Sequence, residues 1–578
     1  MRVTVSFVLL IATLASLAAA APANGSSGSS SSSSSRRQKS VIQLISDGFG
    51  PASETFARSF VQARDNLQWN DTLALDKSIV GTIRTRSTDS LVTDSAASAT
   101  AYSCGIKSVN AYIGVDIDQK PCGTVLEAAK QKGYNTALVT TSRSTHATPA
   151  SYAAHVPDRD DENTIAEHML GGTVLGARVD LIWGGGRRHF LPNTTSGSSR
   201  KDGRDLIGEA TSAGWSYLST RAEFDALNNG SDVQLPSLGL FTSSHMSYEI
   251  DRLAQNSTVQ EPSLAQMAIT ALNALKKQDE PFFIMIEGAR IDHAGHNNDP
   301  IGHLHDILAY QELWTAVSRW VDANDASQSS DDPEIVLLST SDHECGGLTL
   351  ALQRPEDEEA EYAWYPDVLN NSTHSTEYLA AQFYEYAEAE NRTEGELRDY
   401  MVQSILPSLG QSDIDEDETA RALELAREDD DGLALTIYLA SLVNWRAHLG
   451  WSTTGHSGLD VNLYLHVAPQ HAQQKLAASF VGNHENTWIG SWTASWLELD
   501  LASVTRQLNN GTLVGAAGEG SANLTTPTGR YHGGPKHVLP ALPPRRRSVG
   551  YSHKENTMLR AEERSHSMAS KRRAHAEL

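Results

Sequence analysis

Four short apolar segments of this chain each lead into an acidic residue or a histidine. They are residues 41–46 before Asp47, residues 136–141 ahead of His146, residues 281–286 before Glu287, and residues 334–340 ahead of Asp342 and His343. Continuous apolar runs of this length predict buried parallel strands, and helical stretches such as residues 264–277 lie between them. The alternation predicts an α/β fold with a large, mostly parallel central sheet and helices on both of its faces.

The residues that follow these strands predict a site at one edge of the sheet. In open α/β sheets, ligands bind beyond the carboxyl ends of the strands. An acidic residue after a single strand is usually a helix cap or a turn residue, so no one of these positions is informative alone. Four of them at the same edge favour a shared binding site.

Residues 287–296 have the residue types of a metal-binding loop. Glu287, Asp292 and His296 follow one another at intervals of five and four residues. Mixed oxygen and nitrogen ligands suit zinc, and a nearby oxygen-only pocket suits magnesium. The ligands at the other strand ends are then too many for one ion and too highly charged to lie together without cations. We therefore expect a multinuclear site, which is the usual arrangement for in-line phosphoryl displacement.

A candidate nucleophile lies in the small-residue segment 93–102. Its Ala-rich composition predicts a helix that begins near Ser95, with Asp94 or Thr93 as the cap. A serine at a helix N-terminus directs its hydroxyl toward a place where an anion can bind, although an ordinary capping serine is the alternative. The chain has no Gly-x-Ser-x-Gly segment, so activation by a metal ion is favoured over activation by a base.

Several of these segments resemble, in order and spacing, those of the alkaline phosphatases over about residues 40–490. The resemblance is carried by residues 47–50, 94–100, 146–150, 287–296, 342–343 and 453–458. It implies a homodimeric phosphomonoester hydrolase of broad specificity, with an alkaline phosphatase-like fold and a surface crown insertion at about residues 346–440. Residues 482–487 are similar to the fungal vacuolar branch of the family.

The resemblance also implies a role for each matching residue. Ser95 would be the nucleophile that becomes a phosphoserine, and the catalytic Arg159 would grip two phosphate oxygens with its planar guanidinium. Asp94 and His293 would be further substrate-binding residues. Two zinc ions and one magnesium ion are implied, with these ligands: Asp292, His296 and His456 for the first zinc; Asp47, Asp342 and His343 for the second; Asp47, Thr148 and Glu287 for magnesium.

Two histidines depart from the best-studied bacterial members of that family. Those enzymes have Asp where this chain has His146 and Lys where it has His293, whereas animal members have histidine at both positions. We expect His146 to contact magnesium through a water molecule as an outer-shell residue. The pH optimum and magnesium affinity of the bacterial form therefore do not transfer to this chain.

The two ends of the chain predict segments outside a catalytic domain at residues 41–500. Arg2, an apolar run and a small-residue site predict a signal peptide at residues 1–21, with an uncleaved anchor as the alternative. A Ser-rich linker follows at residues 22–40. With ten Asn-x-Ser/Thr sequons, these features predict a secretory route to an extracellular or vacuolar destination, and no membrane span after cleavage.

Charge is distributed unevenly along the chain. The net charge is −25, yet residues 530–578 hold eleven Lys or Arg and four Glu, a net of +7. We interpret residues 501–578 as a polar, basic and disordered extension. The acidic remainder excludes a nucleic-acid partner, which needs a basic surface. It does not exclude phosphate monoesters, because bound cations invert the local field.

Two other functions are consistent with parts of this pattern. A phosphodiesterase of the same superfamily generally uses threonine as the nucleophile and has no arginine equivalent to Arg159. An inactive secreted protein that only binds zinc or phosphate would have at least one broken ligand position, and the sequence has none.

The remaining cysteines and histidines carry weaker predictions. Cys104 and Cys122 could close a short loop and leave Cys345 unpaired, but the sequence does not fix the pairing. We expect five further histidines to be structural or exposed: His189, His245, His303, His305 and His484.

Overall fold

A ten-stranded sheet forms the centre of the fold. The computed structural model describes residues 39–326, 333–353, 359–388, 392–428 and 432–510. The strands within these residues are β1 (Ser40–Ser46), β2 (Ile79–Arg84), β3 (Asn135–Arg143), β4 (Leu181–Gly185), β5 (Ser216–Leu218), β6 (Ser237–Leu240), β7 (Phe282–Gly288), β8 (Ile335–Thr340), β9 (Glu344–Cys345), β10 (Leu348–Leu350), β11 (Leu449–Trp451), β12 (His456–Ser457), β13 (Val461–His466) and β14 (Gly482–Glu485).

The large sheet has the order β14-β2-β13-β8-β1-β7-β3-β4-β6-β5. Its pairings are parallel except those of β13, which runs antiparallel to β2 and to β8. The four strands expected from the apolar runs, β8, β1, β7 and β3, are direct neighbours. Glu287 is in register with both Ile45 and Thr140, and Ile45 is in register with Thr340. The carboxyl ends of these four strands therefore lie level, and the predicted mostly parallel sheet is confirmed.

Helices connect the strands and cover the sheet. They are α1 (Pro51–Arg64), α2 (Ser95–Cys104), α3 (Val125–Gln131), α4 (Ala147–Ala150), α5 (Glu162–Met169), α6 (Leu206–Ser212), α7 (Arg221–Asp225), α8 (Glu249–Ala254), α9 (Leu264–Lys276), α10 (Arg290–His296), α11 (Pro300–Asn324), α12 (Thr376–Glu388), α13 (Glu394–Tyr400), α14 (Leu406–Ser408), α15 (Glu416–Glu428), α16 (Leu433–Ala447), α17 (Gln470–Ala477), α18 (Thr487–Leu497) and α19 (Leu501–Asn510).

Both faces of the sheet are buried, which explains why its strands are apolar throughout. Along β1, Ile42 and Leu44 belong to the core on one face, and Val41 and Ile45 to the core on the other. All four side chains are completely shielded from solvent. Full burial of such a side chain contributes about 1.5–3 kcal/mol, so each interior strand stabilises two layers at once.

The segment predicted as a surface insertion, residues 346–440, is largely helical and joins the main core. Leu379 and Phe383 of α12 and Leu425 of α15 are buried in the core on one face of the sheet. The acidic run at residues 413–418 is mostly exposed, as a solvated face requires. The other acidic run falls partly on residues 354–358, outside the described residues.

The folded part of the chain extends past the predicted boundary at residue 500. Leu501–Asn510 forms α19, whose Val504 and Leu508 are buried against Ala128 and Leu175. This corrects the predicted start of the C-terminal extension by ten residues, because the apolar face of this helix outweighs the polar average of the segment. The rest of the extension, residues 511–578, and the predicted signal peptide and linker up to residue 38 lie outside the described residues.

The cysteines pair as one of the open possibilities. Cys104 and Cys122 form a disulfide bond, and Cys345 is a buried free thiol. Across the described residues, no helix is long and apolar enough to cross a membrane.

Candidate active site and metal centre

The four level strand ends bring the predicted site residues to one edge of the sheet. Asp47 directly follows β1, Glu287 is the penultimate residue of β7, and Asp342 lies just beyond β8. All three carboxylates are completely buried. Gly48, which has φ +75°, allows a close approach, because a Cβ there would lie 2.5 Å from the Cα of Asp292. Glycine at this position thus lets the end of β1 contact α10.

Ser95 occupies the first turn of α2, as the sequence predicted. Asp94 caps the helix by accepting a hydrogen bond from Ala97 N at 2.9 Å. The Oγ of Ser95 lies 3.2 Å from His343 Nε2 and 3.5 Å from Asp47 Oδ2. Every residue of α2 is buried, and the small side chains of the helix allow it to pack directly against the carboxylate cluster. The seryl hydroxyl therefore lies among candidate metal ligands.

A first group of ligands contains Asp292, His296 and His456. The Nδ1–H of His456 donates to Thr93 O at 2.8 Å, and that of His296 donates to Thr454 O at 2.6 Å. Each ring is thereby held in the tautomer that leaves a lone pair on Nε2. The two Nε2 atoms lie 3.2 Å apart and within 3.5 Å of Asp292. Two facing lone pairs beside a carboxylate fit a cation between them.

A second group surrounds Ser95. His343 Nε2 lies 3.0 Å from Asp342 Oδ2 and 3.6 Å from Asp47 Oδ1. Its ring stacks on that of His456 with centroids 3.5 Å apart, which joins the first and second groups. Both of these carboxylate oxygens are buried and accept no hydrogen bond. A divalent cation would supply the missing partner.

A third group lies on the β3 and β7 side of Asp47. Ligand atoms of Asp47, His146 and Glu287 all lie within 4.8 Å of one another. Glu287 Oε1 and Thr148 Oγ1 are buried without a hydrogen-bond partner. Buried oxygen atoms that accept no hydrogen bond suit a hard cation such as magnesium.

The electrostatics of the cluster support binding of cations. Burial raises the pKa of Asp47 well above its usual value, and the charges of Asp342 and Asp292 raise it further. Burial also opposes ionisation of Asp292, but the neighbouring His296 holds the pKa of that carboxyl well below its usual value. Burial lowers the pKa of His456 to about 3, so the ring is neutral and able to act as a ligand. Like charges this close are stable together only when cations or protons neutralise them.

Comparisons with known proteins agree with this geometry. The family model described as alkaline phosphatase matches residues 38–499. The repressible alkaline phosphatase of Saccharomyces cerevisiae is 43% identical over 81% of this chain and 83% of its own length. The alkaline phosphatase of Schizosaccharomyces pombe is 40% identical, over 83% of this chain and 85% of its own length. The chain belongs to the alkaline phosphatase family. The prediction that it is an enzyme of this family is confirmed.

A solved structure shares the fold. The cold-active alkaline phosphatase from the psychrophile Shewanella sp. superposes with a TM-score of 0.64 at 26% identity, over 79% of this chain and 99% of that chain. The central sheet and its flanking helices are thus those of an alkaline phosphatase.

Arg159 pairs with Asp94, the residue that caps α2. Its Nη1 donates to Asp94 Oδ2 and its Nη2 to His146 Nε2, both at 3.1 Å. Asp94 also accepts a hydrogen bond from Ala111 N at 2.7 Å, so the carboxylate is fixed from two sides. Asp94 therefore has two roles, since it caps α2 and orients the guanidinium of Arg159.

His293 lies on the same side of the site as His146. Its Nδ1 accepts a hydrogen bond from Arg290 Nη1 at 2.9 Å, and its ring lies 5.5 Å from that of His146. His245, which the sequence suggested was structural or exposed, packs against both rings, 5.3 Å from that of His146 and 4.2 Å from that of His293. Burial and the neighbouring Arg143 lower the pKa of His245 well below its usual value, so it remains neutral.

Three more residues contact the site, and nothing clear in the sequence marks them as part of it. The hydroxyls of Thr140 and Ser142, near the end of β3, both donate to Glu287 Oε2, the latter at 3.1 Å. Cys345 lies within 4.8 Å of the first ligand group, beside His456. Strand alternation could have placed the two hydroxyls on one side of β3, since residues two apart face the same way. That they face Glu287 could not be inferred without the fold.

Three other histidines bond or stack on residues outside these ligand groups. His303 is buried within the core, where its ring bonds Ile291 O at 2.9 Å and Ser53 Oγ at 2.8 Å. His189 contacts Glu162 at 3.3 Å, and His484 stacks on Trp488.

Proposed function

We propose that this chain is a metal-dependent phosphomonoester hydrolase of broad specificity that acts through a phosphoserine intermediate at Ser95. The observation that carries the proposal is the position of the Ser95 hydroxyl, 3.2 Å from His343 and 3.5 Å from Asp47 at the N-terminus of a buried helix. A merely capping serine would not need to contact a cluster of buried carboxylates and imidazoles.

The ligand chemistry supports two zinc ions and one magnesium ion. The first zinc would be held by Asp292, His296 and His456. The second would be held by Asp47, Asp342 and His343, with Ser95 beside it. Magnesium would be held by Asp47, Glu287 and Thr148, with His146 as an outer contact through water. Zinc bound by these residues would lower the pKa of an adjacent hydroxyl or water and stabilise charge on the leaving oxygen.

The side chains define a simple reaction. Ser95 Oγ, having given up its proton, forms a bond to phosphorus while the bond from phosphorus to the ester oxygen breaks, and the alcohol leaves after taking a proton from water. A second water molecule then hydrolyses the phosphoserine, which releases inorganic phosphate and restores the Ser95 hydroxyl. Arg159 holds the non-reacting phosphoryl oxygens, and His293 supplies a further contact. The positive end of α2 favours the developing negative charge. Catalysis of this kind is chiefly positioning and charge stabilisation.

Monoesters fit this arrangement better than diesters. A monoester presents three non-bridging oxygens, which match the several donors and cations gathered around Ser95. All the roles proposed for these residues concern the phosphoryl group, so the identity of the alcohol should matter little. The observation that favours a monoesterase over a phosphodiesterase is Arg159, whose guanidinium lies 3.1 Å from Asp94, the residue directly before Ser95.

We also propose a secretory route, ending outside the cell or in a vacuole, and a homodimeric state. Every sequon asparagine within the described residues is exposed, as glycosylation requires: Asn70, Asn193, Asn229, Asn256, Asn370, Asn371 and Asn510. Mass spectrometry of the glycopeptides and light scattering of the purified protein would test these two proposals.

Ser95→Ala tests the proposed function directly. We expect the variant to lose hydrolysis of 4-nitrophenyl phosphate, and the wild type to hydrolyse this monoester much faster than bis(4-nitrophenyl) phosphate. Ser103→Ala is the matched control, because Ser103 is a buried serine of the same helix that bonds Ser151 O. EDTA should abolish activity, and added zinc and magnesium should restore it. Unchanged turnover in Ser95→Ala, or activity that survives EDTA, would refute the proposal.

A further inference from the structure

A buried arginine connects His293 to the surface insertion. Arg290, the first residue of α10, is 5% exposed. Its Nη1 donates to His293 Nδ1 at 2.9 Å, and its Nη2 donates to Glu377 Oε1 at 2.8 Å. The guanidinium also lies over the ring of Tyr248, 3.8 Å from its centroid. Its two terminal nitrogens thus bond different residues, one His293 and the other Glu377.

Glu377 is held firmly although its side chain is about half exposed. The second carboxylate oxygen, Oε2, accepts hydrogen bonds from Tyr248 OH at 3.1 Å and from Asn297 Nδ2 at 3.3 Å. The residue lies in the first turn of α12. Two core carboxylates fix the start of that helix, since Asp251 accepts from Ser375 N at 2.9 Å and Asp299 from Thr376 N at 2.8 Å.

The contact between Arg290 and His293 determines which ring nitrogen carries the proton. A guanidinium can only donate, so His293 Nδ1 must accept and must carry a lone pair. The imidazole is therefore neutral with its proton on Nε2, since a proton on Nδ1 would face the donor of Arg290. Nε2–H is then a donor on the far side of the ring from Arg290.

We propose that Glu377 and Arg290 are positioning residues that hold His293 as an Nε2–H donor for a substrate phosphoryl oxygen. The inference rests on the proposed function, because it takes His293 to be a phosphate contact. It adds that the insertion helix α12, through Glu377, takes part in substrate binding without touching the substrate. The chemistry recognised is that of a phosphoryl group, whether on the ester substrate or as inorganic phosphate.

Glu377→Gln removes the charge that orients Arg290 while keeping the size of the side chain. Competitive inhibition by inorganic phosphate is the readout, measured on the metal-loaded enzyme with 4-nitrophenyl phosphate. We expect the Ki for phosphate to rise about tenfold, the effect of weakening one charge-assisted hydrogen bond. The KM should rise with Ki and kcat should change little. Thermal midpoint and metal content should stay at the wild-type values.

A double-mutant cycle shows whether the effect passes through His293. In a His293→Ala background, Glu377→Gln should change Ki no further. Glu249→Gln is the matched control, because it breaks a similar pair with Arg252 at 2.7 Å that does not contact His293. Arg290→Lys, which keeps a donor and a charge, should recover part of the affinity lost in Arg290→Gln.

The outcomes separate this inference from the proposed function. Equal increases in Ki with and without His293, or no increase at all, would overturn the positioning role while an active wild type upholds the hydrolase. A metal-loaded wild type that neither hydrolyses phosphate monoesters nor binds phosphate would overturn both.

Discussion

Replacing Arg159 with lysine keeps the positive charge and changes only how it is presented. The guanidinium has five N–H donors. One from Nη1 bonds Asp94 and one from Nη2 bonds His146, both at 3.1 Å, and the planar fork can present two N–H groups in parallel to a phosphoryl group. Lysine has three donors on a single atom, so after bonding Asp94 it offers two from one point and cannot grip two oxygens in parallel.

The expected loss follows from this difference. Arg159→Lys removes one of two charge-assisted hydrogen bonds to the phosphoryl group, each contributing about 1.5–3 kcal/mol. The Ki for inorganic phosphate should therefore rise by about tenfold to a hundredfold. Arg159→Ala removes both bonds and leaves Asp94 without its ion-pair partner, so its effect should be larger than that of lysine.

Steady-state kinetics with an aryl phosphate, in the presence and absence of inorganic phosphate, would measure these effects. Arg58→Lys is the control, since Arg58 pairs with Asp76 at 3.0 Å in a partly buried position away from the site. A Ki for Arg159→Lys within twofold of the wild-type value would refute the bidentate role. Equal losses in the lysine and alanine variants would refute the contribution of charge.

Two buried ionisable groups outside the site should make the thermal midpoint depend on pH, and one hydroxyl in the site should affect magnesium affinity. Burial lowers the pKa of His155, but Glu127 at 2.9 Å raises it above its usual 6.5. Stability from this pair is therefore present below about pH 6.5 and lost as the pH rises through the folded-state pKa, so His155→Gln should lower the thermal midpoint more at pH 6 than at pH 9. Burial raises the pKa of Asp251 to about 7, so its ionisation costs stability as the pH rises toward that value. Asp251→Asn should raise the midpoint at pH 8 but not at pH 4. Thr140→Val removes a hydroxyl that bonds Glu287, and titration of metal-free protein should show magnesium affinity weakened about tenfold or more.

The sequence was sufficient to predict the parallel core and the edge where the site lies. Buried parallel strands must be apolar along their whole length, so the runs that became β1 and β8 stand out, and the residues after them mark the carboxyl edge. The start of α2 at Ser95 was also predictable, because Asp94 is a strong cap and the following residues are small. These features are local, and local sequence determines them.

Features that depend on distant packing could not be inferred in this way. His245 approaches His146 and His293 only because β6 leads into a segment beside β3 and β7. Glu377 lies 87 residues beyond Arg290, in a segment whose acidic surface suggested only solvent exposure. The antiparallel direction of β13 and the docking of α19 were hidden for the same reason, since each depends on which surface the segment meets.

Trapping the covalent intermediate would show whether Ser95 is phosphorylated during turnover. Metal-loaded enzyme would be mixed with excess 4-nitrophenyl phosphate, quenched in acid during turnover, digested and mapped by mass spectrometry. We expect a phosphate on Ser95 in the wild type and in Ser103→Ala, and none on that peptide in Ser95→Ala or in metal-free enzyme. Continued turnover with no phosphorylated peptide, or with phosphate on a different residue, would contradict this expectation.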